Sequence, residues 1–324
     1  MSSGLGVLSA EETDGKGTEF LLEWGERGSG EGEFDFPIGI VLTGSGEVLV
    51  GDFYNSRIQR FNSEGKYLGE FSVLPNPGGM VFDDDENLYI GHFSAMRRDE
   101  EPKPSRISVY DKEGKFVRSW GKTGTGEGEF DYPGGLAISK EKKLYVADQT
   151  NHRVQVFDLQ GKFLFKWGSY GVKEGEFGGN TNVKSRVGGP QFIAIDRDGT
   201  IYTTEGTVCR IQKFSPAGEF VSAWGDTEDR PGGFGGLFPG TKGGILGPIA
   251  ICLDGEEHLW ITTTSGRVQE FTREGKFLRM LGEGGSEPGQ FLAPHMLVSD
   301  GKGVLYVADS YNHRIQKFRI SRGD

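Results

Sequence analysis

Arg153-Val154-Gln155-Val156-Phe157 recurs six times along this chain with small changes. The other copies are Arg57-Ile58-Gln59-Arg60-Phe61, Arg106-Ile107-Ser108-Val109-Tyr110, Arg210-Ile211-Gln212-Lys213-Phe214, Arg267-Val268-Gln269-Glu270-Phe271 and Arg314-Ile315-Gln316-Lys317-Phe318. Successive arginines lie 49, 47, 57, 57 and 47 residues apart. A period of that length, carried by strand-like segments, points to a propeller in which each repeat is one small antiparallel sheet.

The third copy shows how a repeat becomes a blade. Pro133-Gly134-Gly135-Leu136-Ala137-Ile138 is short and almost wholly apolar, as suits an inner strand packed on both faces. Lys143 to Asp148 forms a second strand, and Gln149-Thr150-Asn151-His152 a turn. Arg153 to Phe157 is the third strand. Asp158-Leu159-Gln160-Gly161 makes a hairpin turn with Gly where a positive φ is expected, and Phe163 to Trp167 is the outer strand. The other copies keep these landmarks. Inner strands begin after Pro37, Pro77, Pro133, Pro190, Pro248 and Pro294, and an outer-strand aromatic recurs at Trp120, Trp167 and Trp224, with Phe71 and Leu281 as substitutes.

The two ends decide the topology. The sixth copy stops at Ile320, before any outer strand, while the chain opens with an unpartnered one at Glu19 to Gly25, whose Trp24 aligns with Trp167. Pairing the two closes the ring and removes two open sheet edges. The expectation is an all-β, six-bladed β-propeller of four-stranded antiparallel blades over residues 18–320. It is flanked by a flexible polar tail at 1–17 and a short tail at 321–324.

Composition narrows the class. The 324 residues carry a formal net charge of −11, which works against generic attraction to nucleic acid or anionic lipid. Two cysteines, Cys209 and Cys252, make a disulfide framework an unsuitable reading. Residues 1–17 are polar and lack the apolar core of a signal peptide, so the sequence reads as a cytoplasmic monomer with no membrane partner.

The lines Asp148-Gln149-Thr150-Asn151-His152-Arg153 and Asp309-Ser310-Tyr311-Asn312-His313-Arg314, each following Leu-Tyr-Val-Ala, resemble the NHL repeat, and Asp52-Phe53-Tyr54-Asn55-Ser56-Arg57 is a looser match. The likeness is specific in blades one, three and six. In the slot of Asp148, blades two, four and five have His92, Glu205 and Thr263. The resemblance implies a six-bladed propeller serving as a platform for proteins, peptides or RNA. A relative in fold, the peptidyl-hydroxyglycine amidating lyase, uses a His-ligated metal in its central channel.

Three functional readings follow. In the turn itself, Asp52, Asp148 and Asp309 face Arg57, Arg153 and Arg314. With Arg106, Arg210 and Arg267 they are expected to brace the scaffold, the carboxylate accepting turn N–H groups, since an active site is not repeated in every blade. Insertions mark a binding face instead: the loops 93–105, 178–189 and 226–247 all fall on one side of the ring, and their candidate residues are Arg97, Arg98, Lys103, Lys184, Arg186, Phe234 and Phe238. The expected occupant is a protein or peptide, with a small molecule as another class. RNA is disfavoured by the nearby pairs Glu31/Glu33, Glu127/Glu129 and Glu174/Glu176. The alternative is a metal-dependent lyase or hydrolase at the channel mouth, with His295, His92 and Glu205 holding a divalent ion such as Zn or Ca. No phosphate loop, nucleophile elbow or zinc-type Cys/His spacing is present, and no other cofactor is expected.

Overall fold

A computed structural model describes residues 17–94, 101–178, 188–236 and 247–321. Six four-stranded antiparallel sheets follow one another around a ring. Blade three is Pro133–Ile138, Lys143–Asp148, Arg153–Asp158 and Phe163–Trp167, in that spatial order. The other helical content among the described residues is two single 3₁₀ turns, Gln149–Asn151 and Ser310–Asn312.

Ring closure is as the two ends require. Blade six pairs Leu297–Ser299, Val304–Asp309 and Arg314–Ile320 with Thr18–Trp24 from the other end of the chain. Thr18 lies opposite Ile320 and Trp24 opposite Ile315, with a bulge between Phe20 and Leu22. That bulge puts Phe20 out of step with Leu22 and Trp24. Phe20 meets Phe318 edge-on and stays 36% exposed, while Trp24 reaches blade one and packs on Phe61.

One contact joins blade to blade. Trp24, Phe71, Trp120, Trp167 and Trp224 each lie over the hairpin glycine of the next blade: Gly65, Gly114, Gly161, Gly218 and Gly275. All five glycines have positive φ, and a Cβ on any of them would sit 2.5–2.9 Å from the ring. Glycine is therefore needed twice over, for the backbone and for the space. Blade six has no such hairpin because its outer strand comes from the N-terminus. Blade five accordingly ends in Leu281 rather than an aromatic ring.

A second contact lies within five of the six repeats, all but blade two. Phe34–Phe61, Phe130–Phe157, Phe177–Phe214, Phe234–Phe271 and Phe291–Phe318 pair at 5.4–5.7 Å between ring centroids. The first ring of each pair is on the crossing that enters a blade, the second on that blade's third strand. All but Phe61 and Phe271, which are 1% exposed, are fully buried. Burying an aromatic side chain stabilises by about 1.5–3 kcal/mol, so these five crossings are each pinned to their blade by a phenylalanine.

Candidate functional site

The turns between second and third strands share one face with the crossings between blades, as hydrogen bonds between them show: Phe53 N–H donates to Phe36 O, and Gln149 N–H to Tyr132 O. The repeated Asp and Arg hold this face together. Asp148 Oδ1 accepts the Asp131 N–H of the crossing at 2.7 Å, and Oδ2 accepts Arg153 Nε at 2.7 Å and Gln155 Nε2 at 3.0 Å. Arg153 spends its remaining donors on the carbonyls of Thr125, Gly126 and Glu129. Blades one and six repeat the pattern with Asp52–Arg57 and Asp309–Arg314. The sequence-based reading had the carboxylate capping its own turn. Instead the 3₁₀ turn has no side-chain cap, and the carboxylate reaches across to the incoming crossing. Burial pushes the Asp148 carboxyl up, against the lowering pull of the Asp131 N–H, Asn151 and Arg153.

The glutamine two residues after each arginine is part of the same clamp, and sequence reasoning passed over it. Gln59, Gln155, Gln212, Gln269 and Gln316 each accept from a glycine N–H of the crossing and donate to a carbonyl nearby. Its strict recurrence in five of six copies was the available signal.

His92 and Glu205 are variants of this clamp. Glu205 is fully buried and binds Arg210 Nε at 2.8 Å and Gln212 Nε2 at 2.7 Å. His92 Nδ1 lies 2.9 Å from Pro75 O, which can only accept, so Nδ1 carries the proton. Nε2 then accepts from Ser108 Oγ at 2.6 Å, and Ser108 stands where the other blades have glutamine. Blade five, with Thr263 in the slot, pairs Arg267 with Asp229 of its crossing. His295 is elsewhere, with Nδ1 donating to Ala293 O and its ring edge-on to Phe36 at 5.3 Å. The expected metal triad of His92, Glu205 and His295 is therefore not assembled, because two of the three are committed to separate blades.

Among the described residues, one group of three could offer ligands within 4.8 Å of one another: Asp254, His258 and Glu270, on the opposite face. Their bonds are structural. Asp254 ties the turn through the N–H groups of Glu256 and His258 and the indole of Trp260. Glu270 bridges His258 at 2.7 Å and Arg279 at 2.5 Å. Blade one has the charge-reversed pair, Glu47 and Arg60 at 2.6 Å, in the same cross-strand position.

Of the residues expected on the binding face, Arg97, Arg98, Lys184, Arg186 and Phe238 lie outside the described residues. Lys103 is there, partly exposed, with Nζ 3.3 Å from Glu101. Phe234 is not a surface residue. It is fully buried against Phe271 as the crossing phenylalanine of blade five.

Beneath this face lies a row of aromatic rings, of which Phe36, Phe53, Phe93 and Tyr132 are buried and only Tyr311 is exposed. Tyr311, Phe36, Phe53, Phe93 and Tyr132 touch in sequence around the channel mouth, at 4.9, 6.2, 5.8 and 5.2 Å between centroids. Tyr54 joins at 5.9 Å from Phe36 and 4.9 Å from Phe53. Tyr311 is 46% exposed and Tyr54 half-buried. Phe36 and Tyr132 have φ of 70° and 60°, a region bulky residues rarely enter. Phe36 is held there from both sides, its N–H donating to His313 Nδ1 at 3.2 Å and its carbonyl accepting from Phe53. Asn76 and Ala293 have positive φ at the same place, directly before Pro77 and Pro294, so this backbone conformation belongs to the repeat. Two signals for the arc were in the sequence: Tyr54 and Tyr311 at one position of the turn, and Asp35-Phe36-Pro37 matching Asp131-Tyr132-Pro133.

The family model for the NHL repeat matches residues 34–61, 130–157 and 291–318, each running from a crossing phenylalanine to its third-strand partner in blades one, three and six. The chain is a six-bladed propeller in which three blades match the NHL repeat. It is 28% identical over 135 residues to "Protein brain tumor" of Drosophila melanogaster, covering 40% of this chain and 12% of that protein. It is 27% identical over 126 residues to "NHL repeat-containing protein 3" of Homo sapiens, covering 35% of this chain and 32% of that one. The chain thus matches a third or less of these relatives' own lengths. Virginiamycin B lyase from Staphylococcus aureus superposes with a TM-score of 0.55 at 15% identity, over 88% of this chain and 95% of that one. At that identity the likeness is one of fold. Among the described residues, no helix is long and apolar enough to cross a membrane.

Proposed function

We propose that this NHL propeller is a non-catalytic platform whose long-loop face receives a protein or peptide. The observation that carries the reading is the pair of tyrosines on this face, Tyr311 exposed and Tyr54 half-buried, both packed on the buried Phe36. Exposed tyrosine supplies contact area at low entropic cost and anchors interfaces. In the sequence, the connections lengthened on this side are those at 93–105, 178–189 and 226–247, and repeat proteins gather such insertions on their binding face.

The test is partner capture with paired variants. Tyr54→Ala/Tyr311→Ala should lose partners that the parent retains, while Asp84→Asn/Asp85→Asn on the opposite face should retain them. The reverse pattern would move the site to the other face. A lyase or hydrolase using a channel metal rests on His295 and on fold likeness. Metal analysis of untagged protein addresses it. A stoichiometric transition metal that disappears in His295→Ala would replace the platform reading with the catalytic one.

A further inference from the structure

The connections on the long-loop face differ in charge from blade to blade, and the blade-two turn at 93–105 is balanced, with three acidic and three basic residues. The crossings over residues 25–36, 121–132 and 282–293, which enter blades one, three and six, hold nine Asp and Glu against two basic residues, Arg27 and Lys122. The crossings over 168–192 and 225–247, which enter blades four and five, hold five acidic and five basic residues. The turns at 53–56, 149–152 and 310–313 carry no carboxylate, lysine or arginine. Inside these turns the buried arginines are already matched, Arg57, Arg153 and Arg314 each by an aspartate. Glu127 and Glu129 have lysine partners in Lys166 and Lys122, and the net charge of these crossings stays negative. On the same side Tyr54 and Tyr311 flank the buried Phe36, and their ring faces carry the negative side of the aromatic quadrupole.

Acid around an aromatic floor is the chemistry of cation recognition: carboxylates draw the ligand in over several ångströms, and the rings hold a desolvated ammonium or guanidinium. We infer that this half of the face binds a cationic peptide segment, seating its lysine or arginine side chains against Tyr54 and Tyr311. The inference rests on the platform reading above and names the class of its partner. Nucleic acid is disfavoured on the same ground, since its phosphates meet nine carboxylates.

A short fluorescein-labelled peptide of alternating arginine and glycine tests this by fluorescence anisotropy on the full chain. Tyr54→Ala/Tyr311→Ala should weaken binding by about tenfold, as expected for two ring–cation contacts. Glu31→Gln/Glu127→Gln should weaken it and flatten its salt dependence. The opposite-face variant Asp84→Asn/Asp85→Asn should bind within about twofold of the parent, because exposed charges beyond a Debye length are screened. Equal losses from both faces, or no loss with the tyrosine pair, would mean adsorption to an acidic protein and would overturn the proposal. So would tighter binding of labelled oligouridylate than of the peptide. Thermal melts of each variant confirm folding. If the tyrosine pair loses captured partners yet leaves the peptide unaffected, the platform stands and the cationic class falls. If it leaves both unaffected, the platform reading falls with it.

Discussion

At the scale of single residues, the repeated arginine is a cross-brace whose worth depends on what it faces. Arg153 meets a fully buried carboxylate, so Arg153→Ala leaves Asp148 charged and uncompensated and strips a donor from three crossing carbonyls. Breaking such a pair costs about 3–5 kcal/mol. Arg106 instead stands opposite the neutral His92, so Arg106→Ala strands no charge and should cost about 1 kcal/mol, the centre of the usual range for substitutions. Urea midpoints of the two variants check the ordering, and equal losses would show that the carboxylate is not what matters. His92 makes a pH prediction. Burial lowers its pKa from 6.5 to about 4, so the unfolded chain binds the proton first. Stability from this group is complete above pH 6.5 and is lost as pH falls toward 4, by at most about 3 kcal/mol for a shift of that size. His295 is lowered to about 4 as well, with a smaller share because it is only half-buried. In His92→Gln the slope of stability between pH 4 and 6.5 should be shallower than in the parent, read from urea unfolding at a series of pH values. An unchanged slope would mean that His92 titrates normally.

At the scale of elements, the strand Thr18–Trp24 closes the ring. Without it the edge of Arg314–Ile320 is open and blade one loses Trp24 from Phe61 and Gly65. Deleting residues 1–25 should give an unfolded or aggregating protein, whereas deleting 1–15 should leave the melting temperature unchanged. A soluble, cooperatively folding protein without 1–25 would refute the closure. This element was legible in the sequence because a propeller strand is defined by its own repeat: Trp24 matches Trp167, and a missing strand at one end answers a spare one at the other. The inner strands of blades four and six were less so. Both follow proline, yet they shrink to Ile193–Ile195 and Leu297–Ser299, because irregular backbone at Gln191–Phe192 and His295–Met296 continues the pairing by single hydrogen bonds. The clamp was half-legible. Asp and Arg announce their pairing by charge, but the reach of Asp148 to Asp131 and the role of Gln155 depend on how the crossing folds back, which a linear motif does not encode. Phe234 misled for the same reason: read along the chain it sits in a long loop, and only the ring of equivalent phenylalanines shows that it is core.

At the scale of the whole molecule, repetition makes the frame rigid and leaves difference to the face. Five of the six blades share the glutamine clamp, and five of the six interfaces share the ring-on-glycine contact. What varies is the length of the connections on one side and their charge. Shortening Ser94 to Pro104 to a tight turn should therefore leave the melting temperature close to that of the parent and abolish partner capture. Retained capture would place that loop outside the site. The most direct measurement of the central claim is site-resolved photo-cross-linking. A benzophenone amino acid replaces Tyr311 in one protein and Lys112, on the opposite face, in another, and both are irradiated with the captured partner. Adducts from position 311 and none from position 112 are the predicted result. Adducts from position 112 alone would contradict the assignment of the binding face.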